Sequence, residues 1–418
     1  IGFDVDITDV ARFGTDYNVV SVHCDCHDYE AWYYEGGGIT RNVWLVKTDP
    51  LRVALWGTYV KCRRLEGDAW RLDVETELDS RYNAAVSAQV RSRILDPQGA
   101  AVAELVSEAQ VLPARGTATV RQQVALQNPA LWDTQACHLY TLRTEILKDG
   151  QVVDALDTAF GIRELRFDAD EGFFLNGKPV TIYGFANHML YLGVGEAMSD
   201  SMREFQMRTL RDMGANGFRC AHSPHAEGTY DYCDRYGLLV MDENRLFQPS
   251  DIVQDEVARM VRRDRNHPSV IMWSIYNEED TVTNETGRRV FNTLAAAARK
   301  YDDTRPMTGA TSYGIFTEGA HDDYDLIGIN HETAYFDELH RAKPGKPIFC
   351  SEEVMPLGEA PAFHPDAVPG QDVLVSQKPY VMGGFHFTGW AYGPEEHPIL
   401  DCIGHPGPLY YGYQAYLM

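Results

Sequence analysis

The sequence predicts a multidomain β plus α/β protein, an immunoglobulin-like β-sandwich followed by a C-terminal (β/α)8 TIM barrel. Three observations carry that expectation. Short alternating apolar and polar segments recur at regular spacing between about residues 51 and 163. Beyond residue 164, eight apolar runs alternate with helical stretches, as a parallel sheet with crossover helices requires. A chain of 418 residues is long enough for two or three hydrophobic cores.

Within residues 1–50, "NVVSVHCD" and "NVWLVKT" alternate like strands on either side of the glycine run in "EGGGI", but they are too few to close a sandwich. Residues 51–163 supply "RVALWGTYVKC", "WRLDVETEL", "AVSAQVRSRIL", "TATVRQQVAL" and "YTLRTEIL", enough for a complete sandwich. Trp32, Trp44, Trp56 and Trp132 fall in these segments and are expected in the core.

The barrel strands are expected at "TIYGF" (181–185), "GFRCA" (217–221), "LLVMDE" (238–243), "VIMWSIY" (270–276), "MTGATS" (307–312), "LIGIN" (326–330), "IFCSE" (348–352) and "GGFHFTGW" (383–390). Helices are expected at "SMREFQMRTLRDMG", "SDIVQDEVARMVRRDR" and "TGRRVFNTLAAAARKY". An open doubly wound sheet is the alternative arrangement of the same elements.

Composition excludes several classes of function. The formal charge of −24 opposes binding to phosphate backbones and anionic membrane surfaces. No apolar run approaches the ~20 residues of a membrane span. Eight cysteines are sparse for this length, and Cys24 and Cys26 have neither zinc nor redox spacing, so reduced or buried thiols are expected. The first residue is Ile1, so the compartment is open between cytoplasm and periplasm.

Barrel chemistry sits at the C-terminal strand ends. There the sequence places Asn187 and His188, Arg219 and His222, Asp242, Glu243 and Asn244, Asn277, Glu278 and Glu279, Asn330 and His331, Glu352 and Glu353, and Trp390. Two carboxylates facing each other across such a mouth are what glycoside hydrolysis needs, one protonated for the leaving oxygen and one ionised for attack. Strands four and seven lie across the barrel, which makes a gap of ~5 to 5.5 Å and a retaining double displacement plausible. Arg219 would hold the attacking group ionised. Adjacent strand residues point to opposite sides, so one Glu of each pair faces the axis, and alternation alone leaves the choice open.

"RRDRNHPSVIMWSIYNEE" resembles the acid/base signature of family 2 glycoside hydrolases, the group of β-galactosidases and β-glucuronidases. "DITDVARFG", "GGGITRNVWLV", "AFGIREL", "FFLNGKPVTIYGFANH", "LRDMGANGFRCAHSP", "CDRYGLLVMDE", "KPIFCSEE" and "GGFHFTGW" are similar to family segments in the family's order, over essentially the whole chain. The resemblance implies that residues 1–50 are a remnant of an N-terminal jelly roll, 51–163 the sandwich and 164–418 the catalytic barrel. It implies Glu278 as acid/base and Glu352 as nucleophile. Asn277 would bind the sugar 2-hydroxyl, and His188, His222 and Arg219 would line the sugar site.

Glu243 and Asn330 are further expected substrate contacts, and Trp390 is the expected stacking platform. Three departures stand out. Phe387 occupies the family's floor Trp, His331 stands where many members have Tyr, and Tyr335 is the expected substitute donor to the nucleophile. "NRLF" after "MDE" lacks the acid and His of a magnesium site, so no metal or other cofactor is expected.

The implied activity is an exo-acting β-glycosidase, with β-galactoside first and β-glucuronide second. A weakened family member that only binds carbohydrate is the rival. A carbohydrate is the expected partner, and a truncated first domain would expose apolar surface and favour homo-oligomers.

Overall fold

The computed structural model describes residues 2–14, 17–25, 38–316, 318–354, 378–391 and 399–418. Trp32 and Cys26 lie outside the described residues.

Residues 51–160 form the expected sandwich. One antiparallel sheet has the order β1 (Leu51–Arg64), β2 (Ala69–Ser80), β6 (Thr117–Gln127). The facing sheet runs β4 (Ala101–Val106), β3 (Val86–Leu95), β7 (Tyr140–Lys148), β8 (Gln151–Phe160), with β5 (Gln110–Leu112) added to β3. Along β2 every second residue is buried, the period of a strand with one face on a core. Trp70, Leu72, Val74, Ile94, Leu142 and Phe160 meet between the sheets.

The barrel closes through β12 (Ile182–Asn187), β13 (Gly217–Cys220), β14 (Leu239–Glu243), β15 (Val270–Asn277), β16 (Met307–Thr311), β17 (Ile327–Asn330), β18 (Ile348–Val354) and β19 (Val381–Phe387), all parallel, with β19 pairing back onto β12. These are the eight predicted strands, and the open sheet is excluded. A small antiparallel sheet, β9 (Leu165–Asp168), β10 (Gly172–Leu175) and β11 (Lys178–Pro179), precedes them. Its Phe173 and Leu175 pack with Met241, Met272, Phe349 and Phe385, filling the lower barrel so that the open end is the one bearing polar residues.

Helices α1 (Asp200–Asp212), α2 (Glu227–Tyr236), α3 (Asp251–Asp264) and α4 (Glu285–Arg299) pack apolar faces on the outside of the barrel. Three start where the sequence offers a capping oxygen: Ser199 accepts from the Met202 amide, Ser250 from Val253, and Asn284 from Thr286 and Gly287. No helix among the described residues is long and apolar enough to cross a membrane.

Two expectations fail outside the barrel. Among the described residues of 1–50 no strand ladder forms, and Val43, Trp44, Leu45 and Val46 are exposed, because isolated strand segments have no partner to satisfy them. Trp44 is therefore not a core residue, while Trp132 is fully buried and donates its indole N–H to the Asp234 carbonyl.

Candidate active site

At the open end of the barrel the side chains are arranged around a buried cation. Arg219, from β13, is 0% exposed, as is Glu243 at the end of β14. Its guanidinium donates to both oxygens of Glu243 (2.9–3.0 Å), to Glu352 Oε2 (2.6 Å), to the Ser351 carbonyl (3.0 Å) and to Asn277 Oδ1 (2.6 Å). Ser274 also donates to Glu243. His222 Nδ1 lies 2.9 Å from Glu243 Oε1, and because an ionised carboxylate only accepts, the proton belongs on that nitrogen. Glu243 is thus the counter-charge that keeps Arg219 in place, with both of its oxygens occupied.

Glu352, at the end of β18, is 6% exposed. Burial alone would raise its pKa, but the His331 contact and the Arg219 charge outweigh it and hold the carboxyl at about 2. It is therefore ionised at neutral pH. Glu278 follows β15 and takes a left-handed backbone, φ 50°, a conformation uncommon outside glycine. Its Oε1 accepts from Asn330 Nδ2 (2.9 Å) and lies 3.3 Å from His331 Nε2. The neighbours of the pair diverge: Glu279 pairs with Arg245 at 2.7 Å, and Glu353 is partnered by the Thr333 side chain.

The same Nε2 of His331 lies 3.4 Å from Glu352 Oε1, and donor atoms of Glu278, His331 and Glu352 all lie within 4.8 Å of one another. Contacts with Glu278 and then Glu352 push His331 up to about 9. Three such donors could in principle surround a cation, but an Nε2 that carries a proton has no lone pair to offer. The trio is therefore an ion-paired set rather than a set of ligands.

Asn277 accepts on Oδ1 from Arg219 and from Asn330 (3.2 Å), while its Nδ2 makes no hydrogen bond among the described residues. The amide is oriented by two donors and presents its own N–H group. Asn330 is 0% exposed and spends both ends internally, since Ser351 Oγ donates to its Oδ1 at 2.6 Å. Phe387 forms an aromatic corner with two histidines, stacked on His222 (5.6 Å, 11°) and edge-on to His188 (5.2 Å, 82°). Burial, and then the His222 charge, lower the His188 pKa to about 3, so its imidazole is neutral and Nδ1 donates to the Ala221 carbonyl.

The structure thus brings together Glu278, Glu352, Asn277, Arg219, His188 and His222. It gives four other residues different places. Glu243 and Asn330, expected to touch substrate, are sealed beneath the site and position Arg219, Asn277 and Glu278. Trp390 is 3% exposed and packs on Phe205 of α1 and on Tyr191, because the chain turns back after β19 and carries the ring into the core. Tyr335 sits in a 3₁₀ turn, half-exposed and edge-on to Phe316, and the contact expected of it at Glu352 is made by His331. His331 and Phe387, noted in the sequence as departures from the family, were given no contact of their own there. Their positions directly after Asn330 and at the end of β19 were the available signals.

Residues 168–364 match the model for the TIM barrel domain of family 2 glycosyl hydrolases, and residues 55–163 match a second model of the same family. The chain belongs to glycoside hydrolase family 2. It is 28% identical to a β-galactosidase of Bacteroides ovatus over 99% of this chain and 59% of that protein. It is 27% identical to a β-glucuronidase of Bacteroides fragilis over 93% of this chain and 59% of that one. The chain therefore spans about three fifths of the length of these relatives. A family 2 member from Bacteroides cellulosilyticus superposes with a TM-score of 0.86 at 26% identity, covering 99% of this chain and 56% of that structure.

Proposed function

We propose that this chain carries the catalytic centre of a retaining, exo-acting β-glycosidase, with Glu352 as nucleophile, Glu278 as acid/base and a β-galactoside as substrate. One observation carries this reading. The carboxylate oxygens of Glu278 and Glu352 approach within 4.8 Å across the barrel mouth, and only Glu352 is clamped by a buried guanidinium. A retaining pair stands roughly 5 to 5.5 Å apart, whereas an inverting pair needs about 6.5 to 9.5 Å to admit a water between them.

In the first step Glu352 attacks the anomeric carbon as Glu278 protonates the departing oxygen. In the second, Glu278 takes a proton from water, which displaces Glu352 from the sugar. The exposures suit these roles. Glu352 is nearly enclosed, while the Glu278 side chain is 33% exposed, where a leaving group can depart and protons can exchange. The oriented Asn277 Nδ2 would bind the sugar 2-hydroxyl, and Phe387 with the two histidines would supply the wall.

The preference for a galactoside has two supports. A relative matching along 99% of this chain is named a β-galactosidase. A uronate would also want a cation for its C6 carboxylate, and Arg219 and Arg245, which both contact Asn277, are each paired with glutamate. The relatives named β-glucuronidases make the glucuronide the second reading. A panel of nitrophenyl glycosides tests both: turnover is expected with the β-galactoside, with Glu278→Gln and Glu352→Gln each losing at least ~10²-fold. Proton NMR should detect the β-anomer as first product. Absence of turnover on every glycoside would sink the hydrolase and favour a carbohydrate binder, and an α-anomer would sink the retaining mechanism.

A further inference from the structure

The proton that Glu278 must donate has no obvious resting place on Glu278 itself. Its contact with His331, followed by a weaker opposing effect of burial, leaves the carboxyl below its ordinary value. Glu352 is ionised as well. Two carboxylates this close repel each other unless a positive charge lies between them. The one Nε2 of His331 is placed there, 3.3 Å from Glu278 Oε1 and 3.4 Å from Glu352 Oε1.

The ring is fixed by its backbone. His331 takes φ 63°, and its amide donates to the Glu352 carbonyl at 2.8 Å, so the end of β17 is tied to the strand bearing the nucleophile. Other titratable or charged groups around it are Glu332 and Glu353, with Arg219 and His222 on the far side of Glu352.

We propose that His331 stores, between the two carboxylates, the proton that Glu278 delivers to the leaving group. This rests on the hydrolase reading above. At rest His331 is an imidazolium and both glutamates are anions. As Glu352 bonds to the anomeric carbon its negative charge disappears, so the imidazolium loses one of its two partners and holds its proton less tightly. That proton passes from Nε2 to Glu278 and on to the departing oxygen as the glycosidic bond breaks. The products are a neutral His331, a Glu278 anion, a Glu352 ester and a free alcohol. In the second step Glu278 takes a proton from water, the hydroxyl bonds to the anomeric carbon, the ester bond breaks, and the restored Glu352 charge draws the proton back to Nε2.

Nitrogen NMR of the intact, histidine-labelled protein tests the first half without needing activity. One imidazole, absent in His331→Gln, should remain doubly protonated at pH 8 and titrate near 9. Glu278→Gln and Glu352→Gln should each move that midpoint down. An imidazole at position 331 that titrates near the ordinary histidine value overturns the proposal.

Kinetics test the second half. With a dinitrophenyl glycoside, whose leaving group departs unprotonated, His331→Gln should lose less than about tenfold in kcat/KM. With an alkyl glycoside it should lose roughly 10² to 10⁴-fold, and the basic limb of its pH profile should move to lower pH. Equal losses on both substrates would mean that the residue only supports the structure, and would overturn the proton-storing role. If no glycoside is turned over but the NMR signature is present, the hydrolase reading fails and the imidazolium bridge stands as a structural ion pair.

Discussion

Arg219 is the residue on which the site's geometry converges, because one guanidinium satisfies Glu243, Glu352 and Asn277 together. A lysine ammonium has three donors on a flexible stem and cannot reproduce that fork. Arg219→Lys is expected to leave Glu243 under-paired at 0% exposure and to lower stability by about 3 kcal/mol or more. It should also raise the pKa of the nucleophile, visible as a shift of the acidic limb of the pH profile to higher pH. Denaturant unfolding and the kcat/KM profile measure the two effects separately, and unchanged values in both would refute this account. The two carboxylates were legible in the sequence because their motifs are distinctive and their strands lie opposite each other. His331 was not, since its role depends on a left-handed turn that swings the ring across the barrel mouth.

The barrel strands were the most legible elements, because apolar runs bounded by turns and polar ends have few other folds available. Helices α1, α3 and α4 were expected from their sequence stretches, and the structure caps them with Ser199, Ser250 and Asn284. Helix α2 was not anticipated: its first turn follows Ala226, with no side-chain cap, and its "EGTYDYCDRY" buries only Thr229, Tyr230, Cys233 and Asp234. That helix ends at Gly237, φ 70°, where an added Cβ would lie 2.5 Å from the Thr134 carbonyl oxygen. Gly237→Ala therefore combines a backbone penalty with a clash against the connection between β6 and β7 of the sandwich. It should cost about 1 to 3 kcal/mol, measurable as a lower unfolding midpoint with little change in KM. A neutral substitution would show that the segment around Thr134 yields easily.

The sandwich and barrel are coupled through Asp302. It accepts from Tyr59 of β1 (2.6 Å), from the Trp273 indole of β15 (3.0 Å) and from Arg305 (2.7 Å). Around it, Asn266 exchanges hydrogen bonds with the Val60 amide and the Thr58 carbonyl, and Arg265 donates to the Trp56 carbonyl. Burial alone would raise the Asp302 pKa, but Arg305 and the hydroxyl donors hold it well below the ordinary value. A depressed carboxylate contributes stability above its unfolded pKa of 3.8 and loses it as pH falls towards the folded value. Asp302→Asn should cost about 3 to 5 kcal/mol by leaving Arg305 buried without its charge partner. Calorimetry should show unfolding split into separate sandwich and barrel steps, and the variant should lose less stability than the parent below pH 4. A single transition at the parental temperature would argue against this coupling.

By itself the sequence determined that β-sheet structure precedes a C-terminal barrel, the number of barrel strands and the end of the barrel at which polar residues gather. Each of these follows from periodicity and from polar residues clustered after apolar runs. Strand alternation left open which member of each glutamate pair faces the mouth; the family motifs pointed to Glu278 and Glu352, and the fold brings the oxygens of these two within 4.8 Å. The left-handed turn at Glu278 and the register shifts between β18 and β19 break the simple two-residue alternation there. Tertiary structure alone decided that Glu243 and Asn330 support the site from beneath, that Trp390 packs into the core, and that a histidine fills the space between the two acids. Those outcomes depend on contacts between strands far apart in the chain, which no local pattern encodes.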